Sequence, residues 1–444
     1  IGDFNDWQRQ TEYFCKKTTS GDRWWVQLDS LTPGEEYRFQ YSIDDEDMRV
    51  ADVYAKKILD PFNDQFIGDN RYPYLIDYPQ GETTNIVSVL QTDQAEYQWQ
   101  DDNFQRPPID RLIIYELLVR DFTEEGTFQA VIDTLDYLDR LGINAIELMP
   151  VNEFEGNESW GYNSSFFFAV DKYYGTKEDL KMLIDACHDR DIAVIIDVVL
   201  NHSFGQNPQV RMYSENGAAG PPTAENPWFN TLARHPFSVG YDYNHESSYT
   251  QGFVKRVLQY WVEEFHIDGY RFDLSKGFTQ NNTLGDVGAW NGYDQSRVDN
   301  WIRIRNDIHE IDDQVYLILE HLGDNPEETA LANLGFMLWG GQHAPFKQAA
   351  LGFPFGQDFS QASYQARGWN FPNLVSYAVS HDEERLMYEN LQNGNSFNPN
   401  HDPKDLETAL ARQEAIHAFN IPLLGPKMFW QFDELGYDFS INYC

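Results

Sequence analysis

Residues 268–275 read DGYRFDLS, a strand-like run that breaks into charge at Asp273. Three more runs end the same way. AVIIDVVLNH (193–202) carries Asp197 and closes on Asn201 and His202, YLILE (316–320) closes on Glu320, and VSYAVSHD (375–382) closes on His381 and Asp382. Strands that are apolar along their length are buried on both faces, as in a parallel sheet covered by helices. In an eight-stranded α/β barrel the C-terminal strand ends form one mouth, and chemistry is done there.

The same alternation of strand and helix extends outward from these runs. LIIYELLV (112–119) predicts a first strand, FQAVIDTLDYLDRLG (128–142) an amphipathic helix closed by Gly142, and NAIELMPV (144–151) a second strand. A helix around 177–190 leads to the third strand, IAVIIDVVL (192–200), and FVKRVLQYWVEEF (253–265) is the helix before the fourth. QVYLILEHL (314–322) is the fifth strand, GFMLWG (335–340) the sixth, LVSYAVS (374–380) the seventh and PKMFWQF (426–432) the eighth, with a helix over KDLETALARQEAIHAF (404–419) before it. Between the third strand and its helix lies an irregular excursion, 203–247, rich in Gly, Pro and Asn. A loop of that length inside a compact domain is usually functional. A (β/α)8 TIM barrel over 112–444 is the expected architecture, although a doubly wound open α/β sheet shares the alternation.

Residues 1–95 have another pattern. RWWVQL (23–28), EYRFQYSI (36–43) and TNIVSVL (84–90), separated by turn signals such as Thr32-Pro33-Gly34, predict a small antiparallel β-sandwich. Trp7, Trp24 and Trp25 are expected in its core, with a sugar-stacking platform as the other reading. A polar stretch over 96–111, containing Pro107-Pro108, is the linker to the barrel.

At 444 residues the chain can bury a large core. Its net charge of −39, from 71 acids against 32 Lys and Arg, disfavours nucleic acid and anionic membranes as partners. Solubility is the plain reading of that charge, and a saline medium the sharper one. The run Asp44-Asp45-Glu46-Asp47 predicts a solvated loop. No apolar run is long enough to span a membrane. Cys15, Cys187 and Cys444 make no disulfide framework and no Cys-x-x-Cys pair, and Cys187 reads as a buried small residue. The chain begins at Ile1 within a strand-like segment and reads as a piece of a longer precursor; no signal segment is visible, its prior removal is compatible with that start, and an extracellular or secreted protein is expected over a cytoplasmic one.

Converging carboxyl groups beside Arg and His point to acid/base and nucleophilic work on a neutral substrate such as a sugar. Retaining cleavage of a glycosidic bond needs one carboxylate to attack and one carboxylic acid to protonate the leaving oxygen. Asp273 and Glu320 end adjacent strands and suit that separation. Arg271 lies two residues before Asp273 and shares its face, where a cation keeps a nucleophile ionised. Glu320 ends a strongly apolar strand, and desolvation favours its acid form. Asp197 reads as an ordinary mouth carboxylate that orients Arg271. His188 and His266 read as surface or internally satisfied histidines.

DVVLNH (197–202), GYRFDLSKG (269–277), LILEHLGD (317–324) and YAVSHDEER (377–385) resemble, in order, the four signature segments of the α-amylase family, glycoside hydrolase family 13. GINAIELMPV (142–151), WGYN (160–163) and PKMFWQFDELG (426–436) extend the likeness over about 110–436. The resemblance implies Asp273 as nucleophile, Glu320 as general acid/base and Asp382 as the acid that positions the sugar. It implies that Arg271, His202 and His381 line the −1 subsite, that Tyr162 stacks on that sugar, and that 203–247 is domain B. Lys276 is either a sugar ligand or the partner of a surface acid. No cofactor is implied beyond calcium, for which Asn201 takes the family's ligand position and Asp242 is the partner expected. Gly277 departs from the pattern, since many α-amylases have His there. GDFNDWQ (2–8) with Trp24-Trp25 resembles the N-terminal, carbohydrate-binding-module-like β-sandwich of branching and debranching enzymes, and the family's C-terminal β-domain is absent from the sequence. The expected activity is retaining, endo-acting hydrolysis of an α-glucan at α-1,4 bonds of starch, glycogen or maltodextrin, through a covalent glycosyl-enzyme intermediate. α-1,6 debranching or branching is the alternative, and an inactive glycan-binding member is a second alternative.

Overall fold

The computed structural model describes residues 1–442 except 22, 30, 44–47, 101–103 and 217–218. The acidic run 44–47 and Cys444 therefore lie outside the described residues. Eight parallel strands form one sheet: β1 Ile113–Leu117, β2 Ala145–Leu148, β3 Ala193–Val198, β4 Gly269–Phe272, β5 Tyr316–Leu319, β6 Met337–Trp339, β7 Leu374–Val375 and β8 Lys427–Trp430. Their order is β7-β6-β5-β4-β3-β2-β1-β8. A parallel bridge between Ser376 and Lys427 joins the two ends, so the sheet curls into a barrel and the open-sheet alternative is set aside.

Side chains of a strand alternate between its faces. One row on each strand fills the barrel interior: Ile114, Ala145, Ala193, Ile195, Tyr316, Ile318, Met337 and Trp339 pack together with Val375, Tyr377 and Met428. The other row packs outward on helices. α1 Phe128–Leu141 starts on the Thr127 cap, turns Phe128, Val131, Leu135 and Leu138 inward, and stops at Gly142, whose φ of 82° is left-handed. α2 Lys177–His188 opens with a Thr176/Asp179 capping box. α3 Ser248–Phe265 buries Val254, Val257, Leu258, Trp261, Val262 and Phe265 at helical spacing. α4 Gln295–His309, α5 Asn325–Asn333, α6 His343–Leu351, α7 Leu386–Asn393 and α8 Leu406–Asn420 complete the helical shell.

Several elements differ from the sequence expectation. After β2 the chain makes an antiparallel ribbon, Asn152–Phe154 against Ser164–Val170, where the sequence reading places no strand. The seventh strand is two residues long, because the chain leaves the ladder at Ser376 to carry His381 and Asp382 into the mouth. Residues 1–95 form small antiparallel sheets: Glu36–Phe39, Val87–Gln91 and Ile58–Leu59 in one, Tyr41–Ile43 with Met48–Val50, and Lys16–Lys17 with Trp24–Trp25. Trp7 is 5% exposed and packs with Leu59, Val87 and Val89, as expected of core. Trp24 and Trp25 are 65% and 48% exposed, so the core reading fails for them. Each ring is met by a lysine, Lys17 over Trp24 and Lys16 over Trp25. Ala51, Ala55, Ile58 and Ile86 pack on Phe166 and Ala169 of the ribbon, joining this region to the barrel. His188 is satisfied by Asp268 at 2.8 Å, His266 stacks on Trp99, and Cys187 is fully buried. Among the described residues no helix is long and apolar enough to cross a membrane.

The two strands that carry the central acids approach closely at Gly269. A Cβ there would lie 2.6 Å from Cβ of Tyr316 and 3.0 Å from its carbonyl oxygen. Gly269→Ala therefore wedges β4 from β5. A loss of about 1–3 kcal/mol is expected, the usual size of core overpacking, and thermal denaturation would register it as a lower Tm. An unchanged Tm would show that the barrel yields at this point without cost.

Candidate active site

The inward rows of β1 to β5 all end in charge. Following the apolar layer come Glu116 on β1, Glu147 on β2, Asp197 on β3, Arg271 on β4 and, just beyond the strands, Asp273 and Glu320. The pairing register holds them level: Glu116 lies opposite Glu147, and Asp197 opposite Arg271. The ladder continues past the strand ends, with the Asp273 amide donating to Val198 O and the Glu320 amide to Phe272 O. Both catalytic candidates thus sit on fixed backbone.

Arg271 is the hub and is fully buried. Its Nη1 donates to both carboxylate oxygens of Asp197, at 3.0 and 2.8 Å, and to Asp273 Oδ1 at 3.2 Å. Its Nη2 lies 3.1 Å from Glu320 Oε2. The guanidinium also lies over the Trp339 ring, 4.2 Å from its centre. Tyr162 donates its hydroxyl to Asp197 at 2.6 Å and stacks on His381. Gly161 makes this placement possible: its φ is 96°, and a Cβ there would strike Pro150 at 2.7 Å. His381 Nδ1 is 2.6 Å from Glu116 Oε1, and its Nε2 is 3.5 Å from Asp382 Oδ1. Asp382 stands at the rim with a side chain 55% exposed.

Burial raises the acids. Asp273 is pushed up to about 7, by desolvation first and then by Glu320, with Arg271 opposing. Desolvation raises Glu320 as well, against Arg271 and the Leu274 amide that donates to it at 2.7 Å. Asp197 rises to about 6 for the same reason, with Arg271 pulling it down. Two carboxyl groups on one guanidinium titrate as a pair.

The structure thus brings Asp197, Tyr162, Arg271, Asp273, Glu320, His381 and Asp382 together. His202 is adjacent but engaged: its Nε2 hydrogen-bonds the Tyr162 carbonyl at 3.0 Å, and burial lowers it to about 4, so the ring is neutral. Lys276 is turned away from the carboxyl groups. It donates to Asn291 Oδ1 at 2.6 Å and to the Leu322 carbonyl at 2.9 Å, and lies over Trp290. Burial lowers its ammonium to about 8. Its partners are an amide and a carbonyl, so the surface-acid pairing is not found. Glu116 and Glu147 are site residues that the strand reading overlooked. The available signal was an acid at an inward position of an otherwise apolar strand.

Asn201 and Asp242 form a separate buried cluster. Asp242 Oδ2 accepts from Asn230 Nδ2 at 2.8 Å and from the Arg234 amide at 3.1 Å. The His235 ring lies between the two residues, with Nε2 3.3 Å from Asn201 Nδ2 and 3.5 Å from Asp242 Oδ1. A Cβ on Gly277 would lie 1.7 Å from Asn201 Nδ2, so glycine is required for the cluster to close. Calcium takes six to eight oxygens. One carboxylate and one amide with an imidazole between them do not fit it.

Residues 92–237 match the family model described as "Alpha amylase, catalytic domain". Over 226 residues the chain is 31% identical to a malto-oligosyltrehalose trehalohydrolase of Saccharolobus solfataricus, covering 49% of this chain and 38% of that protein. It is 31% identical over 286 residues to isoamylase 1, chloroplastic, of Arabidopsis thaliana, covering 55% and 34%. The chain thus spans little more than a third of the length of these curated relatives. Among solved structures, pullulanase type I from Bacillus subtilis complexed with maltose superposes with a TM-score of 0.66 at 21% identity, covering 96% of this chain and 61% of that one. That likeness gives the fold, and the family model over residues 92–237 together with the relatives gives sequence kinship to the α-amylase family.

Proposed function

We propose that the chain is a retaining α-glucan hydrolase that cleaves α-1,4-glucosidic bonds of starch, glycogen or maltodextrins. The observation that carries this reading is Arg271 in contact with both Asp273 and Glu320. One guanidinium touching both keeps two carboxyl groups close enough to flank a single bond; in retaining enzymes they are about 5–5.5 Å apart. Asp273 attacks the anomeric carbon and forms a glycosyl ester. As the C–O bond breaks, Glu320 gives its proton to the departing oxygen. Glu320 then takes a proton from water, whose oxygen displaces Asp273. Asp382, at the rim beside His381, holds sugar hydroxyls, and Tyr162 with His381 forms the floor under the ring. The donor set at Asn201 and Asp242 supports working without calcium.

A second reading is α-1,6 debranching. The N-terminal antiparallel sheets and the kinship to an isoamylase favour it, as does the fold-level likeness to a pullulanase. The kinship to trehalohydrolases adds maltodextrins ending in trehalose to the substrates worth testing.

Product profiles separate these readings. Short maltodextrins from amylose support the α-1,4 reading, while maltotriose from pullulan and debranched β-limit dextrin support the second. Free trehalose from malto-oligosyltrehalose would identify the chain end as the target. In each case the first product seen by NMR should be the α-anomer; an initial β-anomer rules out retention. Asp273→Asn should cut kcat by at least about a thousandfold with the fold intact by circular dichroism, the scale on which losing a catalytic group acts. Glu320→Gln should lose less on substrates with good leaving groups, which need no protonation. The ionised member of the pair attacks, so activity rises with pH as the first proton leaves. The protonated member donates, so activity falls as the second leaves. Asp273 attacks only when ionised and burial raises it to about 7, so the kcat/KM profile should carry an apparent pKa near neutrality. Chelation with EDTA should leave activity and Tm unchanged, and restoration by added calcium would refute the calcium-free reading.

A further inference from the structure

We infer that Glu116 is a positioning residue of this site, which holds the His381 ring in one orientation as a cation, while Glu147 beside it stays neutral. The inference rests on the hydrolase reading for its meaning but on geometry for its content. Glu116 accepts twice from His381: Oε1 from ring Nδ1 at 2.6 Å and Oε2 from the backbone amide at 3.1 Å. Both residues are 2% exposed or less. A carboxylate gripping the ring nitrogen and the amide of one residue fixes both the side-chain rotation and the loop that carries it. It also commits Nδ1 as a donor, which leaves Nε2 facing the mouth and Asp382.

Glu147 is the neighbour that makes this arrangement informative. It lies opposite Glu116 on the adjacent strand, and strands lie about 4.8 Å apart. Neither of its carboxyl oxygens has a hydrogen-bond partner among the described residues. Two ionised carboxylates at that spacing in a dry interior would repel strongly, so one must hold a proton. Glu116 accepts from two N–H donors of His381. Glu147 has none, and desolvation together with Glu116 holds it well above the usual carboxylate range. The proton therefore belongs to Glu147.

Charged groups face His381 from several elements: Glu116 on β1, Glu147 on β2, Asp197 on β3, Arg271 and Asp273 at β4, and Asp382 on its own loop. Burial alone would lower the imidazole and Arg271 would lower it further, yet Glu116 and Asp382 outweigh them and hold it at about 9. Below that pH, Nε2 is a donor to a sugar hydroxyl. As pH rises through it, the charge is lost and Nε2 can turn acceptor.

The test is the ring titration of His381 by NMR in the intact chain with labelled histidine, its signal assigned by the one lost in His381→Gln. It should titrate near 9 in the parent and in Glu147→Gln. In Glu116→Gln, which keeps the shape and removes the charge, its acidity should rise at least about tenfold. In the same variant kcat/KM should fall by an order of magnitude or more, with its pH profile displaced toward acid. Glu116→Asp, which restores the charge, should recover part of both. A parent His381 that titrates below 7 overturns the inference without any variant, and so does a titration unmoved by Glu116→Gln or moved equally by Glu147→Gln. If no α-glucan is cleaved, the hydrolase reading fails, and the titration still decides the role of Glu116.

Discussion

Everything at the barrel mouth depends on one buried cation. Arg271 has no contact with water and is surrounded by Asp197, Asp273 and Glu320. An ion taken into a protein interior loses several kcal/mol of hydration, and only close opposite charges repay it. The converse holds for the acids. Each is raised by burial, and the Arg271 guanidinium opposes the rise in all three. Deleting the guanidinium would leave three carboxyl groups crowded in an apolar cylinder, and they would neutralise rather than stay ready to attack. Trp339 beneath the cation and Tyr162 beside it keep water from taking over its role.

This dependence explains the layering of the barrel. The lower interior is apolar, from Ile114 and Ala145 to Ile318 and Met337, and gives the strands a packed base. The level above is a ring of acids and one guanidinium in which Glu147 alone lacks a hydrogen-bond partner among the described residues: Asp197 has Arg271 and Tyr162, Glu116 has His381, and Glu320 has the Leu274 amide. Only Asp382 stands in the open, on a loop that has left the sheet. The preorganised part of the site is therefore β1 to β5, and the part contributed by β7 arrives on irregular chain.

How far the sequence was legible follows from the same physics. Asp197, Arg271, Asp273 and Glu320 could be read because a period of two and an apolar-to-charged break are local signals. The barrel could be read because strand and helix alternate at regular spacing. Glu116 and Glu147 were hidden inside LIIYELLV and NAIELMPV, where one acid does not disturb an apolar average; only register, a property of the assembled sheet, gives them a role. The ribbon over 152–170 was hidden because its pairing partner lies ten residues off across an irregular turn. Trp24 and Trp25 were misread because a tryptophan pair signals burial in composition but not in context. Lys276 and His235 take their positions from Trp290 and Gly277, contacts between distant segments that no local pattern encodes.

The seam of the barrel has a mechanical consequence. Strands β3, β4 and β5 are laced by continuous ladders, whereas β7 meets β8 through Ser376 alone, whose amide donates to Pro426 O and whose carbonyl accepts from the Met428 amide. The Asn420 side chain clamps the same residue through its hydroxyl and carbonyl. The cylinder is thus laced by strand ladders on the side that carries Asp273 and Glu320, and is closed by a single bridge on the side that carries His381 and Asp382. Whatever enters the mouth meets a continuously laced wall on one side and, on the other, a wall that closes through Ser376 and its clamp by Asn420.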